Sequence, residues 1–316
     1  MMFSRRVLWA ARALCAAAVC ALLVVAARAD IMTRGEVLDD MKFVTIGNPY
    51  NDPASADNTD HGDTGAYTFG KVDYVYDIGK YMVTDPHYEA SGLPRPWDGI
   101  MFPTGDNAPV NFVSWENAAR FTNWLTTGDE DKGVYNTSDW TVINPDRTQL
   151  VAAVNALDGV SGVSRVYFLP TEDEWYKAAY YDPNSESYNL YGTGKDTIDG
   201  TEANYNASGR NSVTKVGTFE VSTHLPSAYG AYDMAGNLHD WTETFDGDSD
   251  NPVFRGGAYV HDASGLAASG GGSSLDPDGA YRVIGFRVAS IPEPASVTML
   301  LMGAVAALLW RRRRNG

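Results

Sequence analysis

Three stretches of the chain carry apolar side chains in patterns typical of β-strands. Residues 72–78 and 281–289 alternate between apolar and other positions, and a short apolar run ends at Leu169. Because successive side chains of a strand point to opposite faces, the alternating stretches predict half-buried strands, the first interrupted by Gly79. The side chains predicted to face inward are Val72, Tyr74, Tyr76, Ile78, Ile284, Phe286 and Val288.

Two other stretches have the period and the start signals of helices. Residues 113–125, VSWENAARFTNWL, place apolar side chains close to helical spacing, and Ser114 supplies an N-cap. Thr171 and Glu174 have the spacing of a capping box, in which the threonine hydroxyl accepts from the glutamate amide and the carboxylate from the threonine amide. A second helix is therefore predicted from this point to about residue 181.

The remaining sequence predicts short elements joined by many turns. The 316 residues include 31 glycines, 18 tyrosines and 8 tryptophans, and long alanine- and leucine-rich runs are missing from the middle of the chain. With 44% hydrophobic residues the chain is rich enough for a large core. Since no Pro-rich linker or useful repeat divides residues 30–290, we predict one domain there.

The first 29 residues predict a secretory signal peptide. Two arginines near the start precede an apolar run that ends near Val25, and the small-residue site Ala27-Arg28-Ala29 precedes Asp30. Signal peptidase would cleave there. The alternative is an uncleaved membrane anchor, which the short apolar run and the cleavage site disfavour.

The C-terminal segment, residues 291–316, contains Pro292-Glu293-Pro294, an apolar stretch at 295–310 and four arginines. A helix of that length spans about 24 Å at ~1.5 Å per residue, slightly short of a ~30 Å hydrocarbon core. The three parts resemble the PEP-CTERM sorting signal of Gram-negative bacteria. That resemblance implies a transient transmembrane anchor, cleavage by an exosortase and delivery to the outer surface or the extracellular matrix. The alternative is a plain C-terminal membrane anchor.

Charge and cysteine content exclude two classes of function. The chain has a formal net charge of −16, and eight of its 24 basic residues lie in the two terminal segments, so the region between them is still more acidic. Nucleic acid and anionic lipid are therefore not expected as partners. Both cysteines, Cys15 and Cys20, lie in the signal segment, so the exported domain has no thiol for a disulfide, a metal or catalysis.

Five ordered blocks of residues about 40–290 resemble the formylglycine-generating enzyme (sulfatase-modifying factor) family. The blocks are PVNFVSWENAARFTNWL, FLPTEDEWYKAAYY, YGAYDMAGNLHDW, FRGGAYV and IGFRVAS. The resemblance implies an α+β, C-type-lectin-like fold with little regular secondary structure, stabilised by calcium in catalytic members. Those members oxidise a substrate cysteine to formylglycine with a copper ion held by two cysteines.

The block YDMAGNLHDW matches the calcium-ligand pattern of that family. Asp233 and Asp240, with the carbonyls of Gly236 and Leu238 between them, give hard oxygen ligands within eight residues. Aspartate stands here where asparagine and glutamate are more familiar, and Asp240 is one methylene shorter than glutamate. The alternative is that the two aspartates satisfy only the backbone of the turn.

A second family site would begin at Asn204 and the carbonyl of Tyr205. Its other ligands would fall near Ser208 and Arg210, where an acid is missing, so we expect this site to be weak or lost. His239 stands where the family usually has tryptophan and is expected to pack rather than to bind a metal. The acidic string at 246–252 lacks the glycine and glutamate of an EF-hand loop and predicts a solvated loop.

The segment RGGAYVHDASGL, residues 255–266, contains the residues that bear on copper-dependent oxidation and on hydrolysis. The resemblance places His261 and Leu266 at or near the two copper-binding cysteines, and neither side chain forms a thiolate, so copper is not expected. His261, Asp262 and Ser264 are the residue types of a hydrolytic triad. They are neighbours in sequence, however, and adjacent side chains of an extended segment point apart, so hydrolysis is not predicted.

These observations predict a non-catalytic, exported, calcium-supported module that binds an extracellular polysaccharide or a peptide. The residues expected near its ligand groove are Tyr259, His261, Asp262, Tyr281 and Trp97. Aromatic rings there would stack on sugars, although core packing is an alternative role for at least one of them. Two other functions stay open at this point, a metal-dependent oxidase of the same fold without cysteine chemistry and a structural matrix component.

Overall fold

The computed structural model describes residues 31–54, 69–95, 107–216, 224–270 and 272–292. The predicted signal peptide, the apolar segment at 295–310 and Trp97 lie outside these residues. Within them, no helix is both long enough and apolar enough to cross a membrane.

The described residues form five α-helices and ten short strands. The helices are α1 (Arg34–Asp40), α2 (Asp85–Ser91), α3 (Trp115–Thr127), α4 (Leu150–Asn155) and α5 (Glu172–Tyr180). The strands are β1 (Phe43–Ile46), β2 (Tyr76–Gly79), β3 (Arg165–Phe168), β4 (Tyr181–Asp182), β5 (Ser187–Tyr188), β6 (His239–Phe245), β7 (Pro252–Arg255), β8 (Ser273–Ser274), β9 (Ile284–Gly285) and β10 (Ala289–Pro292).

Two four-stranded sheets organise the domain. The first has the order β1-β2-β10-β3 and is antiparallel throughout, so the last described strand lies between β2 and β3, which come much earlier in the chain. The second has the order β8-β7-β6-β9, with β6 antiparallel to β7 and parallel to β9. Strands β4 and β5 form a separate hairpin. The segment between β9 and β10 therefore connects the two sheets.

The core is built around large aromatic side chains between the sheets and the two longest helices. Trp115, Trp175 and Trp241 are fully buried. Helix α3 lies against β3, and α5 lies against β6 and β7. The indole nitrogens of Trp115 and Trp241 donate to the carbonyls of Thr242 and Val113, at 2.7 and 3.0 Å, so the polar atoms of these large rings are satisfied inside the core.

The two helices predicted from sequence are confirmed with their caps. Ser114 Oγ accepts from the backbone N–H of Asn117 at 3.2 Å, and α3 extends two residues past the predicted end. Thr171 and Glu174 make both hydrogen bonds of the capping box, at 3.1 and 2.6 Å. The local sequence was sufficient here because a cap is satisfied within a single turn.

The predicted strands are shorter than the alternation suggested. Strand β2 begins only at Tyr76, although Val72 is buried as expected, and the stretch 281–289 contains the two-residue strand β9 and only the first residue of β10. Ile284, Phe286 and Val288 are all buried, which confirms the predicted inward face. Arg287 between them is fully buried as well, because a carboxylate inside the domain pairs with it.

Candidate functional site

The loop 233–238 enters β6 through an unusual backbone conformation. Asp233, Gly236 and Asn237 all have positive φ, at 57°, 84° and 65°. A Cβ atom at Gly236 would collide with the carbonyl oxygen of Asn204, whose own loop runs alongside. Glycine is therefore required at this close approach, and it fixes the position of the carbonyl groups around it.

Asp240 lies at the start of β6 in a fully buried ion pair. Arg287 Nε donates to Asp240 Oδ2 at 2.6 Å, and Trp175 Nε1 donates to the same oxygen at 2.9 Å. The other guanidinium nitrogens donate to backbone carbonyls, among them Gly79 at 3.1 Å and Tyr232 at 3.0 Å. Burial raises the pKa of the Asp240 carboxyl above its ordinary value, and the positive charge of Arg287 opposes that rise.

The second carboxylate oxygen of Asp240, Oδ1, bears on whether the four predicted ligands could hold calcium. Asp240 Oδ1 is buried and has no hydrogen-bond partner in the described part of the chain, so a charged oxygen is available for a cation. Asp233 is also buried and close enough to Asp240 to disfavour its ionised form. Two acids and the carbonyls of Gly236 and Leu238 are oxygen donors of the type that calcium prefers, although Asp240 also pairs with Arg287 and Asp233 Oδ1 lies 3.4 Å from His224 Nδ1.

The residues of the second predicted calcium site instead hold two loops together. Asn204 Nδ2 donates to the carbonyl of Ser212 at 2.9 Å and to Asn237 Oδ1 at 3.1 Å. Its Oδ1 accepts from Ser208 Oγ at 3.1 Å, and the carbonyl of Tyr205 accepts from the amide of Ser208 at 2.9 Å. Both predicted oxygen ligands are neutral and already accept hydrogen bonds, so this pair fits calcium less well than the first set.

The Gly-Gly turn after β7 packs tightly against Leu266. Gly256 and Gly257 both have positive φ, and a Cβ atom at Gly257 would lie 2.6 Å from the Leu266 side chain. Leu266 is fully buried in a small apolar cluster with Ala203 and Ala235. The residue that the family resemblance places at or near a copper-binding cysteine is therefore a buried hydrocarbon side chain.

His261, Asp262 and Ser264 lie together without converging on one point. Asp262 caps the short 3₁₀ turn at Ala263–Leu266, and its Oδ1 accepts from the Ser264 hydroxyl at 2.6 Å. His261 Nδ1 instead accepts from the backbone N–H of Ala258 at 3.0 Å. The imidazole therefore supports the turn after β7, and a base–nucleophile pair of the hydrolytic type is not formed.

A pair of histidines that the sequence did not predict lies next to this turn. The rings of His239 and His261 are edge to face with centroids 4.9 Å apart, and Phe254 packs against His239 at 4.7 Å. Burial, and then the neighbouring imidazole of His261, lower the pKa of His239 to about 3. The two side chains are separated in sequence, and the pairing of β6 with β7, together with the turn after β7, brings them close.

The residues expected around a ligand groove occupy different environments. Tyr259 is only 3% exposed and packs with Met82 and Leu238, so its ring does not face solvent. Tyr281 is half-buried, with its ring 6.2 Å from that of Trp241 in an edge-on arrangement. Asp262 is exposed and His261 is half-buried.

A cavity of about 590 Å³ lies between the β6–β7 turn, the start of α5 and the segment around β8. Phe245, Asp246, Asp248 and Ser274 are among its lining residues. Asp246 Oδ2 accepts from the hydroxyls of Ser249 and Ser274, each at 3.0 Å. The acidic string that was predicted to be a solvated loop therefore also links the β6–β7 turn to β8 by hydrogen bonds. The backbone N–H of Asp248, which donates to Asp246 Oδ1 at 3.0 Å, and then these two hydroxyls lower the pKa of Asp246.

Comparison with known proteins decides the family. A family model for the sulfatase-modifying factor enzyme 1-like domain matches residues 38–291. The chain belongs to this family. The α+β, C-type-lectin-like fold expected from the sequence blocks is confirmed, and a PEP-CTERM protein-sorting motif matches residues 290–314. The sulfatase-modifying-factor-like chain is therefore exported with a C-terminal sorting signal that implies processing by an exosortase.

The individual relatives have low sequence identity to this chain. A protein named chaperone protein LppX from Paenibacillus barcinonensis is 25% identical over 240 residues, which are 66% of this chain and 79% of that protein. Treponema denticola variable protein 1 has a similar structure, with a TM-score of 0.52 and 20% identity, over 80% of this chain and 95% of that one. The structure of CarF gives a TM-score of 0.51 and 23% identity, over 79% and 97%. At these identities the structural neighbours show the fold alone.

Proposed function

We propose that this sulfatase-modifying-factor-like domain is a non-catalytic binding module, supported by calcium and displayed at the cell surface or in the extracellular matrix. The main support for this proposal is the buried leucine at position 266. Its buried side chain stands where the family resemblance expects a copper-binding cysteine, and the exported part of the sequence contains no cysteine elsewhere. Copper-dependent formation of formylglycine has no thiol ligands in such a domain.

Calcium would have a structural role here. Asp233, Asp240 and the carbonyls of Gly236 and Leu238 would hold the ion at the entrance to β6. A bound ion would place positive charge beside the buried Oδ1 of Asp240, the oxygen of that carboxylate that Arg287 and Trp175 do not contact. The protein itself positions these donors through the left-handed backbone of the loop and the close approach of Gly236 to Asn204.

The ligand is an extracellular peptide or polysaccharide. The cavity beside the β6–β7 turn supports this proposal because its volume of about 590 Å³ lies within the range of ligand-binding clefts. The formal net charge of −16 disfavours nucleic acid and anionic lipid. A structural matrix component is the alternative, and it would show no saturable ligand in a peptide and glycan screen.

A metal-dependent oxidase without cysteine chemistry is favoured by one observation, the contact between His239 and His261. Two imidazoles at this separation offer nitrogen ligands for iron or copper. The Nδ1 atom of His261 already accepts from the backbone N–H of Ala258, which restricts its use as a ligand. Stoichiometric iron or copper in the purified protein would support the oxidase and contradict the binding module.

Calcium should raise the melting temperature of the purified, processed protein by about 5–10 °C over a sample in chelator. A ligand at about 100 times its Kd stabilises the folded state by ~2.7 kcal/mol, and each kcal/mol corresponds to ~2–4 °C for a domain of this size. Differential scanning calorimetry measures the shift. Replacing Asp240 with asparagine should reduce the calcium-dependent shift, whereas Asp250→Asn on the exposed β6–β7 turn should leave it unchanged. Identical melting curves with calcium and chelator would refute the assignment.

A further inference from the structure

The cavity beside the β6–β7 turn has an excess of negative charge. Its charged lining residues are Glu172, Asp246, Asp248 and Arg255. Arg255 is already neutralised, because it contacts Glu172 Oε1 at 2.6 Å, and its Nη1 donates to the carbonyl of Gly270 at 3.0 Å. The charges of Asp246 and Asp248 are therefore not balanced by the lining itself, and the cavity attracts a cation.

An exposed aromatic ring lies next to these carboxylates. Phe245 is 36% exposed, a high value for a large apolar side chain, and Trp115 holds its ring in an edge-on contact at 5.0 Å. A fixed ring with an accessible side attracts an ammonium or guanidinium group through its π electrons and also packs against an apolar stem. Aromatic and acidic groups together match the side chains of arginine and lysine.

The backbone beside the cavity favours a peptide over a sugar. Ser273 and Ser274, which form β8, line the cavity. In the described part of the second sheet, β8 is the terminal strand and pairs on one side only, with β7. The free side of an edge strand offers N–H and C=O groups that an extended peptide pairs with by strand addition.

We propose that this cavity binds a basic side chain, arginine or lysine, of an extended peptide that adds to the edge of β8. The inference rests on the proposed function as a binding module and assigns its ligand class and position. The head group of the basic residue contacts Asp248 and the carboxylate of Asp246, while its stem lies on Phe245. An anionic polysaccharide is disfavoured by the same charges.

The experiment uses two blocked tripeptides that differ only in their central residue, arginine or its neutral isostere citrulline. Isothermal titration calorimetry with the purified, processed protein in calcium should show saturable binding of the arginine peptide and none of the citrulline peptide. Asp248→Asn and Phe245→Ala should each weaken binding by about 5-fold or more, the effect of losing a close charge or a cation–π contact.

A matched control separates this site from general attraction to an acidic protein. Asp250→Asn removes the same charge from the same turn, but residue 250 does not line the cavity, and asparagine tolerates its positive φ of 57°. This variant should bind the arginine peptide within about 2-fold of the unchanged protein, since only distant charge is lost. Equal weakening by Asp248→Asn and Asp250→Asn would overturn the proposal.

Glycan binding, measured on an array with the same protein, separates the peptide assignment from the proposed role as a binding module. If an oligosaccharide binds, and Phe245→Ala and Asp248→Asn weaken it while the arginine peptide does not bind, the peptide assignment is wrong and the binding module stands. If neither peptides nor glycans bind, the proposed function fails together with the inference.

Discussion

Replacing Arg287 with alanine should lower the free energy of unfolding by about 3–5 kcal/mol. The guanidinium is fully buried and is the charged partner of Asp240, at 2.6 Å. Without it, the buried Asp240 carboxylate keeps only the Trp175 indole as a donor among the described residues, and the carbonyls of Gly79 and Tyr232 each lose the hydrogen bond from the guanidinium. Chemical denaturation in chelator measures the loss without a contribution from calcium.

Arg120→Ala is the matched control for this variant. Arg120 also pairs with an aspartate, Asp131, but both side chains are partly exposed, at 26% and 58%. Because water screens such a pair, its loss should cost less than about 1 kcal/mol. Equal effects of the two substitutions would show that the Arg287–Asp240 pair does not stabilise the domain in the way described.

Replacing Arg147 with alanine should cost a similar amount, about 3–5 kcal/mol, for a different reason. One guanidinium contacts two glutamates: Arg147 Nε lies 3.2 Å from Glu174 Oε1, and Nη2 lies 2.9 Å from Glu243 Oε1. Tyr135 donates to Glu243 at 2.7 Å, so the carboxylates keep some partners. The positive charge between them is nevertheless lost, and the two acids then repel each other.

The loss in Arg147→Ala should shrink as the pH falls. Burial already raises the pKa of Glu243 in the folded protein, and Arg147 opposes that rise. Without the arginine the folded pKa rises further above its unfolded value, so the instability is greatest above the folded pKa and fades as Glu243 takes up its proton. Denaturation at about pH 5 and at about pH 7.5 measures the difference. A loss that is independent of pH would contradict this explanation.

Local signals in the sequence predicted the two longest helices well. The caps at Ser114 and Thr171 use atoms within one turn of each helix, so no distant residue is needed to specify them. The order of the five blocks also predicted the family and its fold. The strands were predicted less accurately, because several are only two to four residues long and depend on pairing with distant partners.

Contacts between distant parts of the chain could not be predicted from local patterns in the sequence. Alternation in residues 281–289 gave the buried face of Ile284, Phe286 and Val288, but it could not show that Arg287 is buried with Asp240. The pair needs the sheets to bring residues 240 and 287 together. Phe245 and the cavity around it were missed for the same reason, since their neighbours come from α5, β7 and β8. The acidic string at 246–252 was the one local signal for that cavity.

We propose above all that this sulfatase-modifying-factor-like domain does not perform the cysteine oxidation of the family's catalytic members. The most direct measurement supplies copper and oxygen to the purified, processed protein with a sulfatase-type cysteine peptide and follows the peptide by mass spectrometry. With Leu266 in place of a thiol ligand, conversion to formylglycine should stay at the level of a reaction without protein. Copper-dependent conversion above that level would contradict the account.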